Sequence, residues 1–398
     1  MLTILILNLL GAAYLWLLLQ NQMRITDHLK FLQTLESAPT EQGDAQAIAT
    51  TLAILGRDHE VRSTDIFPQF DFPAPDVDVT TIQIKPLPWK TTIQEIAADH
   101  RLVMVMESHF SSRDREWIGA ALPIFKEQGF THYAVEAIGE SSKQLKSRGY
   151  PSIETGYYTC DPQFANSIRT ALELRLEVLG YDFRPFSHEM REEYAADQLA
   201  KILNGNNKAK LLVHAGPGHI LKHKTELNQK WLAARLWEKT GVEPITIWQW
   251  SDLHDEHDYR IVASAIRILG PFEEPVILMP PPEQNSGLNQ IPKTDAILVH
   301  PKNESVAPNH RSPLFAQNFQ NAVGTWTGKK WPVIIAAFHV GEPDDAIALD
   351  QVLLRNAEDQ FNLLIPQKLE FDVRAFGTEG RIEIEVVIDA DQLILSPK

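Results

Sequence analysis

The chain has 398 residues, of which 44% are hydrophobic and 22% are charged, and this balance is typical of a globular protein with one large core or two smaller ones. The formal net charge of −15 at pH 7 argues against nucleic acid as a partner and against adsorption to anionic lipid. Cys160 is the only cysteine, which excludes an intrachain disulfide and a cluster of thiolate metal ligands.

The N-terminal residues depart from a globular composition. Residues 1–19 carry no charged side chain and are rich in leucine and isoleucine, and about 17 to 25 residues of this kind span a bilayer. We therefore predict that residues 1–22 form a retained transmembrane anchor through which the protein meets the membrane. A cleaved export signal is the second reading, and a start assigned upstream of Met23 is the third. The first two readings predict a membrane-anchored or exported protein, periplasmic or extracytoplasmic.

Residues 23–90 are predicted to connect this segment to the main domain. A helix is expected over residues 24–35, followed over residues 36–46 by a linker that is rich in Pro, Thr, Gly, Gln and acidic residues. Residues 65–88 are rich in proline and are predicted to run extended over the surface.

Residues 91–300 alternate between apolar runs and helical patterns. The apolar runs that we predict as strands are 102–106, 131–135, 176–180, 210–215, 244–250, 275–279 and 295–299. Helices are indicated between them, the first beginning at the S-x-x-D pattern of Ser111. Alternating strands and helices are typical of an α/β domain, and continuous apolar runs are typical of parallel strands. The predicted fold is a parallel-rich central sheet flanked by helices.

The pattern of apolar residues changes in residues 301–398. Runs at 331–335, 369–373 and 381–386 alternate or cluster apolar residues and predict strands, and residues 377–380 predict a hairpin turn. We therefore predict a small β-rich C-terminal unit.

Ionisable side chains stand directly after four of the predicted strands. They are Glu107 and His109, Glu136, Tyr181 and Asp182, and His219. Parallel strands place their carboxyl ends at the same edge of a sheet, which is where α/β proteins bind their ligands. Each residue alone has a structural reading, such as a helix cap or a packed imidazole. Because buried acids and imidazoles are costly without partners, their joint occurrence predicts a functional site.

Several short segments carry a resemblance to known proteins. Residues 106–109 read MESH after an apolar strand, residues 215–220 read AGPGHI, Arg191 and Glu192 open a helix, and residues 295–299 read DAILV. These segments resemble the GE-x-H, AGxGH, RE-x-x-A and YDA elements of the superfamily that contains erythromycin esterases, ChaN-like haem-binding proteins and TraB/Tiki-type proteins. Glu136 fits its strand-end acid. The resemblance covers about residues 102–301, with Met106 in place of the usual glycine and Thr294 in place of a tyrosine.

The resemblance implies two kinds of hydrolytic chemistry on the same residues, with a small molecule or a peptide as substrate. In the Tiki-type branch, His109, Glu136 and His219 would be the ligands of a divalent metal (Zn, Mn or Co) that activates water. Glu107 would then be the base, or would orient an imidazole. In the erythromycin esterase branch no metal takes part: His109 removes a proton from water and Glu136 orients it. Arg191 or His219 then stabilises the oxyanion.

Three other readings stay open. The ChaN-like branch implies a haem- or small-ligand-binding protein without catalysis, in which Tyr157, Tyr158 or Tyr181 would ligate the iron. A member that serves only in protein interaction is a further alternative, to which Met106 in place of glycine points. Acids and histidines at residues 252–258 include an H-x-x-H spacing, for which we favour a solvated loop over a metal site.

Overall fold

The computed structural model describes residues 23–37, 42–61, 85–136, 138–139, 141–182, 187–223, 230–250, 266, 269–279, 294–301, 313–389 and 392–398. In chain order its α-helices are α1 (Ile25–Ser37), α2 (Gln42–Ile54), α3 (Asp58–Val61), α4 (Trp89–Asp99), α5 (Ser112–Glu127), α6 (Ser142–Arg148), α7 (Pro162–Glu173), α8 (His188–Gly205) and α9 (Leu232–Thr240).

The β-strands follow the same order along the chain. They are β1 (Pro86–Pro88), β2 (Leu102–Met106), β3 (His132–Val135), β4 (Glu177–Gly180), β5 (Leu211–Ala215), β6 (Ile245–Trp250), β7 (Val276–Leu278), β8 (Ala296–Val299), β9 (Phe319–Trp326), β10 (Val333–His339), β11 (Asp350–Leu354), β12 (Gln360–Pro366), β13 (Phe371–Gly377), β14 (Gly380–Ile382), β15 (Ile384–Asp389) and β16 (Gln392–Pro397).

The described residues divide into two compact units, each built from segments that are distant in sequence. The α/β unit consists of the described residues within Phe67–Ser147 and Ser167–Asn303. The β-rich unit consists of the described residues within Met1–Ile66, Arg148–Asn166 and Glu304–Lys398. The boundary predicted near residue 300 stays a prediction, because residues 302–312 lie outside the described residues.

The α/β unit is organised by one eight-stranded sheet in the order β1-β7-β8-β6-β2-β5-β3-β4. The strands from β8 to β4 pair in parallel, and β7 and β1 add antiparallel strands at one edge. Strand β2 is central, and all five of its residues are at most 1% exposed. Burying a Val, Leu or Met side chain stabilises a fold by about 1.5–3 kcal/mol, so β2 is firmly anchored. The predicted α/β class and parallel-rich sheet are confirmed.

Helices cover both faces of this sheet. Successive strand residues point to opposite sides, so a strand that is apolar at every position has two faces to bury. On one side, Leu199 of α8 and Leu236 of α9 share a core with Val213 of β5. On the other side, Tyr133 of β3 lies within 3.2 Å of Ser167 of α7. Each face of the sheet is therefore buried, which explains the continuous apolar runs of its central strands.

The β-rich unit contains two four-stranded sheets. Their strand orders are β11-β10-β13-β14 and β12-β9-β16-β15. One core joins them, since buried residues of both sheets, such as Ile335 and Phe361, belong to the same cluster. The predicted hairpin is present, with Gly377 paired to Gly380 between β13 and β14. The predicted β-rich C-terminal unit is thus confirmed.

Three predictions fall on residues that are not described. Residues 1–22, the proline-rich stretch up to residue 84, and the acid- and histidine-rich residues 252–258 lie outside the described ranges. No helix within those ranges is both long and apolar enough to cross a membrane.

Candidate active site

The predicted site residues meet at the carboxyl ends of four neighbouring strands. The sheet order places β5 between β2 and β3, with β4 outside β3. The main chain joins these ends directly: the Glu107 amide donates to the Ala215 carbonyl at 2.9 Å, and the Glu136 amide donates to the His214 carbonyl at 3.1 Å. His109, Glu136 and His219 are brought together around the turn that follows β5.

Glu107 and His109 form the first part of the site. Nδ1 of His109 donates to Oε1 of Glu107 at 2.9 Å, and Nε of Arg115 donates to Oε2 at 2.8 Å. Nη2 of Arg115 also donates to the His109 carbonyl at 3.0 Å. Burial alone would raise the pKa of Glu107, but the Arg115 charge and the His109 hydrogen bond lower it to about 2. Glu107 is therefore ionised at neutral pH, and it selects the His109 tautomer that has its proton on Nδ1.

Glu136 forms the second part and binds two cationic side chains. Its Oε1 accepts from Nη2 of Arg191 and lies 3.4 Å from Nε2 of His219, while its Oε2 accepts from the amide of Gly216. The Glu136 carboxylate is buried, but His219, His109 and Arg191 hold its pKa well below the usual value. Asp182 secures Arg191 through two hydrogen bonds of 2.8 Å. Asp182 thus orients Arg191.

His219 lies between two carboxylates. Its Nδ1 is 2.9 Å from Oε1 of Glu192, and its Nε2 faces Glu136. Burial would lower the pKa of His219, but Glu136 and Glu192 together raise it to about 10. Both ring nitrogens therefore carry protons at neutral pH, and His219 is an imidazolium. Trp231 packs its ring edge-on to this imidazole, at a centroid distance of 5.6 Å.

The glycine turn after β5 places Gly216 against the His109 ring. A Cβ atom on Gly216 would lie 2.5 Å from Cε1 and 2.9 Å from Nε2 of that ring, and 3.1 Å from Oε2 of Glu136. Only a residue without a side chain allows His109 to take this position.

Tyr181 is a buried structural neighbour of the site. Its hydroxyl donates to the His214 carbonyl at 2.9 Å, and burial raises its pKa well above the usual value. Nδ1 of His214 lies 2.7 Å from the Tyr133 hydroxyl, and burial lowers the pKa of His214 to about 4. His214 is therefore neutral and packed within the sheet.

The prediction of a metal site on His109, Glu136 and His219 is wrong. Among the described residues no group of three or more His, Cys, Asp and Glu side chains is arranged to hold a metal ion. The physical reason is that cations already occupy the carboxylate: Arg191 and protonated His219 both bind Glu136. An imidazolium has no lone pair to offer, because a metal ligand has to be deprotonated. The residues present do not fit a divalent metal.

Two site residues were not predicted. Arg115 follows Glu107 by eight positions, and its side chain is fully buried. Its signal in the sequence is a charged residue on the apolar stripe of α5, three positions before Ile118 and seven before Leu122. Glu192 was seen beside Arg191 in the helix motif, but no role was given to it.

Comparisons with known proteins add little. No family model matches the chain, and no curated protein matches it. Solved structures that are similar include the type III effector HopBA1, with 14% identity over 56% of this chain and 99% of that one, at a TM-score of 0.31. RRSP, a MARTX toxin effector domain from Vibrio vulnificus, shows 13% identity over 53% of this chain and 45% of that one, at 0.30.

A third similar structure is the C-terminal region of Pasteurella multocida toxin, described there as having a thiol-protease-like catalytic triad. It shows 11% identity over 93% of this chain and 53% of that one, at a TM-score of 0.31. In a further structure of bacterial protein toxins the match spans 36% of the toxin chain. Likeness at this level defines neither a fold nor an activity.

Proposed function

We propose that the chain is a hydrolase of ester or peptide bonds in which His109 activates a water molecule without a metal. The observation that carries this proposal is a tautomer-fixed imidazole beside the buried ion-pair cluster of Glu136, Arg191 and His219. Glu107 holds the proton on Nδ1 of His109, which leaves Nε2 as the basic nitrogen. Nε2 of His109 lies against Gly216, near the Glu136 carboxylate that binds Arg191 and His219.

The reaction follows from these positions. Nε2 of His109 takes a proton from water as the water oxygen attacks the carbonyl carbon, and Glu107 stabilises the imidazolium that forms. The carbonyl oxygen becomes an oxyanion, for which Arg191 and protonated His219 supply positive charge in a partly dry site. The tetrahedral intermediate collapses when the leaving oxygen or nitrogen takes the proton back from His109. Each proton that is removed is thus returned.

Burial strengthens the electrostatic part of this mechanism. The side chain of Glu136 is 8% exposed and that of His219 is 9% exposed, so water screens their charges weakly. Glu136 keeps the two cations close together, and Asp182 and Glu192 fix them from behind. The cations are therefore placed before substrate arrives, which is the property that makes charge stabilisation effective.

The test is hydrolysis of p-nitrophenyl acetate, as an ester, and of fluorescein-labelled casein, as a peptide, by the full chain and by His109→Gln. We expect turnover of the substrate that the parent hydrolyses to fall by about 10² or more, the usual effect of losing an acid–base group. His132→Gln is the matched control, because His132 lies at the opposite end of β3 and contacts Glu177. Full activity of a folded His109→Gln protein would show that another group activates the water.

A further inference from the structure

Three buried polar side chains lie behind the loop that carries Glu107 and His109. Asp114 stands in the first turn of α5, Gln249 in β6, and His300 directly after β8. Asp114 and Gln249 are fully buried, and His300 is 5% exposed. Three elements that are distant in sequence thus bring their polar groups together beside the loop between β2 and α5.

Asp114 closes this loop on itself. Its Oδ2 accepts from the Ser108 amide at 2.9 Å, and its Oδ1 accepts from the Ser111 hydroxyl at 2.7 Å. Ser111 in turn caps α5, since its Oγ accepts from the Asp114 amide at 3.3 Å. The carboxylate therefore ties the residue between Glu107 and His109 to the start of the helix.

Gln249 connects the first turn of α5 to the end of β2. Its Nε2 donates to the carbonyls of Met106 at 2.9 Å and of Asp114 at 3.1 Å, and its Oε1 lies 3.0 Å from Nε2 of His300. That nitrogen also lies 3.4 Å from Oδ1 of Asp114. Both of these neighbours are acceptors, so Nε2 of His300 is the donor. The two carbonyls direct the amide nitrogen of Gln249, and His300 satisfies the amide oxygen on the other side.

We propose that Asp114, Gln249 and His300 are positioning residues that set the place of Glu107 and His109. Buried polar groups without partners are costly, so the network holds one arrangement and the loop attached to it is rigid. The catalytic effect of these three residues rests on the proposed function. Their effect on the position of the His109 ring does not, because that position can be measured without any substrate.

The test replaces the two members that are remote from the reacting atoms. Gln249→Met and His300→Phe keep the volume of the side chain and remove its hydrogen bonds, and His300→Gln retains a donor. Leu298→Val is the matched control, since Leu298 is a fully buried residue of β8. The readouts are the ring-nitrogen NMR shifts of His109, assigned with His109→Gln, and kcat and KM on p-nitrophenyl acetate and labelled casein.

We expect the parent and Leu298→Val to show the His109 proton on Nδ1. In Gln249→Met and His300→Phe we expect shifts that average the two tautomers, with a fall of about 10-fold or more in kcat and little change in KM, because a misplaced base affects the transition state. His300→Gln should recover much of the loss. Parent-like shifts and kcat in a folded Gln249→Met or His300→Phe protein overturn the proposal. Should the parent hydrolyse neither substrate, the proposed function fails, and the ring-nitrogen shifts still decide the positioning role.

Discussion

Replacing Gly216 with alanine tests the active-site geometry most directly. The added methyl group would lie 2.5 Å from Cε1 of His109. Carbon atoms in contact prefer a separation of about 3.5 Å, so one of the two has to move by about 1 Å. The His109 ring is the end of a side chain and Gly216 belongs to the main chain, so we expect the ring to move. A displacement of about 1 Å can lower turnover about 10²-fold, equal to about 2.7 kcal/mol of transition-state stabilisation.

The assay for Gly216→Ala is kcat on the substrate that the parent hydrolyses, together with the melting temperature. Gly205→Ala is the matched control, because a Cβ atom on Gly205 would meet nothing within 4 Å. In a background of His109→Ala the effect of Gly216→Ala on turnover should shrink, since the contacts with the His109 ring are lost and only the 3.1 Å contact with Oε2 of Glu136 remains. A Gly216→Ala protein with parent-like kcat refutes the geometric argument. A loss of turnover that is undiminished in the His109→Ala background also refutes it.

Three further predictions concern the charges of the site. In Glu192→Gln the pKa of His219 should fall from about 10 towards 6.5, as measured by NMR titration, with Glu193→Gln as an unchanged neighbour; a His219 that still titrates near 10 contradicts the role of Glu192. Because the pKa of Glu107 falls on folding from 4.5 to about 2, its stabilisation is complete above pH 4.5 and is lost as the pH falls towards 2. The difference in unfolding free energy between the parent and Glu107→Gln should therefore shrink by about 3 kcal/mol over that window. A difference that stays constant with pH would show that the folded protein does not lower the pKa of Glu107. Dialysis against EDTA should leave turnover unchanged, because Arg191 and His219 occupy Glu136, and a loss that Zn²⁺ restores would reverse this conclusion.

The fold was predictable because its central strands are continuous apolar runs in the sequence. The run from Leu102 to Met106 is apolar at every position, which only a strand covered on both faces requires. Four of the predicted strands were followed by ionisable residues, so the position of the site at the carboxyl edge followed from parallel pairing. The strand order did not follow. That β5 lies between β2 and β3 depends on tertiary packing and leaves no periodic signal in the sequence.

The partners of the site residues were less predictable than the residues themselves. One branch of the family resemblance implied His109, Glu136 and His219 as metal ligands, and residue type alone does not tell a carboxylate that binds a metal from one that binds an arginine. Arg191 lies 55 positions from Glu136 along the chain, and their contact depends on the packing of α8 against the sheet. The protonation of His219 depends on two carboxylates at once, which no local pattern expresses.

The insertion of β5 between β2 and β3 has a consequence for biosynthesis. Glu107, His109 and Glu136 leave the ribosome early, but the strand that separates their two strands, and the Gly216 amide that binds Glu136, follow about 75 residues later. A nascent chain that ends before Leu211 contains Glu107, His109 and Glu136 but lacks the strand that pairs with both β2 and β3. The arrangement of these side chains described above therefore requires β5 to have been synthesised.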